Sequence, residues 1–469
     1  MAGLDTDYLI IGAGASGLAF ADEMLTRSDA HLTLLDTRPE PGGHWNDAYP
    51  YVRLHQPSAF YGVGSRSLGD ETIDADGPNA GYMSLASGGQ VLGHFHAAMY
   101  DRLIPSGRVK FLPMHRANSD GSVTCLLSGE TKPITVRRKT VDAAYMTNSV
   151  PKTHTRRFSV DPDVACVPPN DLPSLAAGHR HFTVLGAGKT AMDAVVWLLN
   201  RGADAGQIRW IVPRDSWLWD RATTQPTLDF FDEVYGGFLT RQRAIAEARD
   251  PRDLALRLEA GGIWMRLSED HEPTVYRGAT VSRRELALLR SVEDQVRLGR
   301  VVAISPGRLE LQRGNISAPE DTLYIDCTAT PFAAGQAPAV QVFNGDRITL
   351  QMIRFPQITF SSALIAYLET LYDTDAEKNR FAAPIEVNES LEGFVRALAP
   401  DFANRMNAGA VSELRAWTFN SRLDGFTRLA SQIDPEDKEK RDLLNALKVA
   451  NLAAVANLPR LISALDQAA

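Results

Sequence analysis

The chain has 469 residues, length for two or three domains, with 44% hydrophobic and 23% charged residues, the balance of a soluble globular protein. Its formal net charge of −8 argues against nucleic acid or an anionic membrane surface as partner. No apolar run approaches the roughly 20 residues of a membrane span. No signal peptide is read at the N-terminus. Cys125, Cys166 and Cys327 form neither a C-x-x-C pair nor zinc spacing. The expectation is a reduced, cytoplasmic protein without a metal site.

In chain order, the first element is the strand Tyr8–Ile11, which runs into Gly12-Ala13-Gly14-Ala15-Ser16-Gly17 and a helical apolar pattern from Leu18 to Leu25. In such a G-x-G-x-x-G turn Gly12 permits the tight bend, Gly14 the approach of a pyrophosphate, and Gly17 the packing of helix on strand. Ala15 and Ser16 then place their N–H groups at the positive end of the helix, where phosphates bind. A second strand, His31–Leu35, ends on Asp36, with Thr37 beside it. A carboxylate about 20 residues past the glycines is placed for a ribose hydroxyl. Pro41-Gly42-Gly43-His44-Trp45 follows. Its paired glycines let backbone pass close to a cofactor, while Trp45 reads equally as a flavin neighbour or a core residue.

A second fingerprint, Gly186-Ala187-Gly188-Lys189-Thr190-Ala191, follows the strand Phe182–Leu185 and opens a helix to Asn200. Two such motifs in one chain predict two dinucleotides, most economically a flavin exchanging electrons with a nicotinamide. The next strand, Ile208–Val212, ends without an acid, and Arg214 stands where the acid would be. An arginine fork suits a 2′-phosphate, and Lys189 adds positive charge at the same end. NADPH is therefore expected, although Arg214 also reads as a solvated surface charge.

The order of motifs implies nesting. Residues 1–175 form the first part of a flavin domain, with a Pro-rich linker from Pro162 to Pro173. Residues 176–300 form the NADP domain with a helical insertion. Residues 301–375 return to the flavin domain, marked by Val301–Ile304 and Thr322–Ala329, and 376–469 are helical. Phe355 to Tyr367 reads as a loop entering a helix, with Thr359 or Ser361 as an ordinary N-cap. The aromatic cluster Trp217, Trp219, Phe230, Phe231 and Tyr235 reads as core or as pocket lining. The C-terminal helices read as a cover over a substrate cavity or as a subunit contact, leaving a homo-oligomer open.

The G-G-x-W box at Gly42–Trp45, followed by Tyr49-Pro50-Tyr51-Val52-Arg53, resembles the class B flavoprotein monooxygenases, which include the flavin-containing and Baeyer–Villiger enzymes. The resemblance implies an α/β fold of two nested Rossmann-like domains, FAD in the first and NADPH in the second. It also implies O2 activation as a flavin C(4a)-hydroperoxide and oxygenation of a small organic substrate at nitrogen, sulfur or activated carbon. It carries Asp326, within a strand similar to the D-x-x-x-A-T-G strand of such flavoproteins but with Thr330-Pro331 in place of the usual Gly, to the flavin, and it points the helix after Phe355 at the flavin with Gln357 and Thr359 as candidate donors. It makes Arg53 the first catalytic candidate, with His55 and Gln56 in place of the usual acid partner. The F-x-G-x-x-x-H-x-x-x-W signature of Baeyer–Villiger enzymes is missing, since Phe158-Ser159-Val160-Asp161 lacks its glycine. A flavoprotein reductase without oxygen insertion and a nucleotide-binding redox sensor remain as alternatives.

Overall fold

The computed structural model describes residues 4–146, 149–329, 339–386 and 388–468. Its first sheet is built on β1 (Leu4–Ile11) and β2 (Leu32–Asp36), which pair in parallel, Ile11 opposite Leu35. Val109–Pro113 adds on the far side of β2, and Thr131–Asp142 on the far side of β1, both parallel. Every residue of β2 is buried, as expected where helices or loops cover both faces of a parallel sheet. The helix α1 (Ala15–Arg27) follows β1 directly. A Cβ on Gly17 would lie 2.0 Å from the Gly12 carbonyl oxygen, so only glycine allows this close contact.

The second sheet is also parallel. β3 (His181–Leu185) lies between β4 (Ile208–Ile211) and Thr322–Asp326, with Gln295–Val296 and Cys166–Val167 at the edges. Its helix α2 (Lys189–Asn200) buries Ala191, Ala194, Val195 and Leu198. The two sheets are the nested Rossmann-like units expected, with two corrections to the boundaries. Thr322–Asp326 does not return to the first sheet but pairs with β3. A fully buried apolar strand has the same pattern in either parallel sheet, so its sequence did not fix which one it joins. Val301–Ser305 likewise joins a small separate sheet with Ser159–Val160. The chain re-enters the first sheet at Arg347–Thr349, parallel to Thr131–Asp142. The Pro-rich linker contributes Cys166–Val167 as an edge strand of the second sheet.

The insertion after the second unit forms a three-stranded sheet, in which Ser216–Asp220 pairs with Trp264–Met265 and with β5 (Val275–Val281). It also forms the helix α3 (Phe231–Glu247). After the second sheet come α4 (Ile358–Leu371), packed on α1, then α5 (Leu391–Ala410) and the long α6 (Lys438–Ala468). α6 lies along α3, and Asn457 donates to the Ile245 and Ala248 carbonyls at 2.8 Å. Among the described residues no helix is long and apolar enough to cross a membrane, and no group of three or more His, Cys, Asp or Glu side chains is arranged to hold a metal.

Candidate active site

One cavity of about 930 Å³ runs from the first glycine turn to the C-terminal helix. Gly12, Gly14, Ala15, Ser16 and Asp36 form its wall at one end, with Gly43 and His44 opposite. α1 starts at Gly14 without a side-chain cap, so the N–H groups of its first turn are free for an outside acceptor. A Cβ on Gly43 would lie 3.0 Å from the Gly14 Cα, so the two glycine loops meet backbone to backbone. Gly42 holds this contact by donating its N–H to the Ala13 carbonyl at 2.9 Å. Asp36 accepts from the Ala13 and Arg38 N–H groups at 2.8 and 2.9 Å, which fixes its carboxylate at the wall. An open helix N-terminus, a side-chain-free cradle and a fixed acid fit a dinucleotide such as FAD. Gly17 is packed inside. Thr37 is exposed and off the wall. Trp45 also does not reach the cavity: it is buried in the first core and donates to the Tyr61 hydroxyl at 2.9 Å. His44 does line it, and burial, aided by the Arg38 charge, lowers its pKa to about 4.

His55 and Gln56 both line the cavity. The His55 Nδ1 accepts from the Thr280 N–H at 3.3 Å, which leaves the proton on Nε2. Burial, then the charges of Lys189 and Arg221, depress its pKa to about 3, so it is neutral near pH 7. Arg53 is a correction. It is exposed, donates to the Leu85 carbonyl at 3.0 Å, and lies outside the cavity. Its neighbours explain why. Tyr51 stacks on Trp197 of α2 at 5.4 Å, and the Tyr49 hydroxyl donates to Asp193 at 2.7 Å. The aromatic residues dock this segment on the second unit and leave Arg53 facing out.

At the second fingerprint α2 begins at Gly188, again uncapped, and a Cβ there would meet nothing within 4 Å. Gly186, whose φ is +113°, makes the turn, Thr190 is part-buried, and Ala191 is in the core. This end too can hold phosphate. None of these residues belongs to the main cavity; Arg277, on the cavity wall, lies 3.5 Å from the Ala187 carbonyl and links the two places. The charges expected here are differently used. Lys189 is not free for phosphate: it pairs with Asp193 and, at 2.9 Å, with Glu285. Glu285 also binds Arg221 at 2.7 Å, and Arg221 donates to the His55 carbonyl at 3.2 Å. Arg214 pairs with Glu389, which Arg277 holds at 3.0 Å. Asp326 is a further correction. Being in the second sheet, it is bound by His154 at 3.0 Å and Arg156 at 3.1 Å, away from the cavity.

The other end of the cavity is aromatic. Gln357 and Ile358 bring the start of α4 to the wall. The Gln357 amide donates to the Asp424 carbonyl at 2.9 Å, and Thr359, 2% exposed, stays behind the wall. Trp219, Tyr235, Phe238, Tyr276, Phe355 and Phe394 surround the remaining space. Of the expected aromatic cluster, Trp217 and Phe231 are core. Leu447, Asn451, Leu452 and Val455 of α6 close the far side, so the C-terminal helix builds the cavity. Sequence reasoning missed Arg241, Arg277, Glu285 and Glu389, and read Arg221 as a partner for Asp220, whereas Arg221 pairs with Glu285 and Asp220 with Arg283. Only the register of the inserted sheet and helices brings them to the site, and no short motif marks them.

The molecule is thus an α/β protein of two nested Rossmann-like units with a cavity shared between the first unit and the helical C-terminal region. The family model of an NAD(P)-binding Rossmann-like domain matches residues 10–59. Uncharacterized proteins of Mycobacterium tuberculosis (strain ATCC 25618 / H37Rv) and Mycobacterium bovis (strain ATCC BAA-935 / AF2122/97) are each 43% identical over 424 residues, covering 90% of this chain and 78% of theirs. The chain belongs to the family of these mycobacterial proteins. Among solved structures, a flavin-containing monooxygenase from Stenotrophomonas maltophilia is 15% identical, with 88% of this chain and 99% of that chain covered and a TM-score of 0.44. Closed cyclohexanone monooxygenase is 12% identical, with 97% and 98% covered and a TM-score of 0.47. A bacillithiol disulfide reductase from Staphylococcus aureus is 12% identical, with 70% and 77% covered and a TM-score of 0.41.

Proposed function

We propose that the protein is an FAD- and NADPH-dependent monooxygenase acting on a small organic substrate with O2. The observation that carries this reading is the continuity of one cavity from a dinucleotide cradle to an aromatic chamber. FAD bound along Gly14, Asp36 and Gly43 supplies hydride acceptance and oxygen activation. The first turn of α1 binds the pyrophosphate, and Asp36 accepts from the ribose. Gly188 and the turn before α2 receive the NADPH pyrophosphate, with Arg214 and Arg277 for the 2′-phosphate. His55, neutral and held through Nδ1, places an uncharged N–H group in the cavity wall. Trp219, Tyr276, Phe355 and Phe394 exclude water from the reacting space.

The test is a single turnover. Protein reduced anaerobically with NADPH is mixed with isotopically labelled dioxygen, with and without candidate substrates. A monooxygenase transfers one labelled atom to product, and peroxide yield falls in proportion. Peroxide or acceptor reduction matching all the electrons, with no labelled product, selects a reductase. Failure of NADPH to reduce the protein selects a sensor.

A further inference from the structure

Arg241, on α3, projects into the aromatic end of the cavity. Its Nε is completely buried without a hydrogen-bond partner, and among the described residues its guanidinium makes no ion pair. Its Cζ lies 6.0 Å from the centroid of the Trp219 ring. A guanidinium held in this way, with no carboxylate on it, is open to an anion from the cavity.

The surrounding charges do not neutralise it. Arg405 takes the nearby Asp401 at 2.8 Å, and that carboxylate also accepts from the Phe355 N–H at 2.9 Å. Arg354 faces Asp424 at 3.6 Å. Three arginines therefore stand against two aspartates, and Arg241 is the one in excess. Tyr276 lines the same end of the cavity and brings a phenol hydroxyl to it. Burial, then Arg405, lowers the Arg241 pKa from its ordinary value, the direction expected for a cation without its counterion.

We infer that Arg241 is the anchor for a carboxylate, and that the cavity takes an aromatic or alicyclic carboxylic acid. The acid's anion meets the guanidinium, with the Tyr276 hydroxyl as a further donor, and its ring lies among Trp219, Phe355 and Phe394. The pattern is the usual one for small-ligand sites: an apolar chamber with a few convergent polar groups that fix orientation. Describing this acid as the substrate rests on the monooxygenase reading; its binding does not.

The experiment titrates purified protein, with whatever nucleotide it retains, with carboxylates from benzoate to phenylbutyrate and with the matching primary amides. Calorimetry gives the affinities, and flavin content and NADPH oxidation are recorded on the same samples. At least one acid is expected to bind tenfold or more tighter than its amide. Arg241→Met brings that acid down to the amide's affinity, Arg241→Lys restores part of the preference, and Tyr276→Phe lowers it by a smaller factor. Equal binding of acids and amides, or an acid preference untouched by Arg241→Met, overturns the inference. In that event flavin reduction by NADPH still leaves the oxygenase reading standing. An Arg241-dependent acid preference in a protein that holds no flavin supports the anchor and removes the oxygenase.

Discussion

Glu285 is 5% exposed and lies between two cations, Lys189 at 2.9 Å and Arg221 at 2.7 Å. Burial opposes its charge, but Lys189 and Arg221 outweigh burial and bring its pKa from 4.5 to about 2. A shift of that size is worth about 3 kcal/mol. Loss of one partner from a buried ion pair costs about 3–5 kcal/mol by direct measurement in other proteins, so the two figures agree. Glu285→Gln keeps the shape and removes the charge, leaving Asp193 alone against both cations. The predicted loss is about 3 kcal/mol of unfolding free energy, read as a lower urea midpoint at pH 7 with an unchanged m-value. The sign with pH is fixed by the direction of the shift. The contribution is complete above 4.5, the pKa of the unfolded chain, and is lost as pH falls towards 2. The gap between wild type and variant therefore narrows below pH 4.5. A midpoint within about 0.5 kcal/mol of wild type, or a gap that stays constant with acid, refutes the reasoning.

Gly14→Val puts a branched side chain where a Cβ already lies 3.4 Å from the Gly43 Cα, so the purified variant is expected to lose its flavin absorbance; a normally yellow protein contradicts the assignment. Glu389→Gln releases Arg214 and Arg277, and KM for NADPH should fall about fivefold relative to NADH, the equivalent of about 1 kcal/mol. Arg214→Ala should shift the same ratio the other way, and equal changes for both nicotinamides tell against a 2′-phosphate role. His44, His55 and His94 are held neutral mainly by burial, with pKa values of about 4, 3 and 4. Below pH 6.5 the unfolded chain takes up protons these residues refuse, so each removes about 1.4 kcal/mol of stability per pH unit down to its folded pKa. Urea midpoints measured from pH 7 to 5 should fall steeply, and a flat profile refutes the burial argument.

The two strand–turn–helix units were legible because glycine turns are local. The bend at Gly12, the packing of Gly17 and the acid at Asp36 depend on a strand, a turn and a helix consecutive in the chain. Charged side chains were less legible because their partners come from elsewhere. Lys189 looked like a phosphate ligand until Glu285, 96 residues on, met it. Arg53 belonged to a recognisable segment, but Tyr49 and Tyr51 dock that segment on α2 and turn its arginine away. His55 and Gln56, two and three residues later, reach the wall. Asp326 ended a strand of the expected pattern in the other sheet. The aromatic chamber could not be read because α3, α5 and α6 converge on it from distant parts of the chain.

The proposed function requires that the cavity hold a flavin which NADPH reduces. The most direct measurement is the visible spectrum of the purified protein, reconstituted with FAD if necessary, before and after anaerobic addition of NADPH. One flavin per chain, bleached by NADPH within a catalytic time, is the predicted result. A protein that takes up no FAD, or one whose bound FAD stays oxidised in the presence of NADPH, contradicts the account.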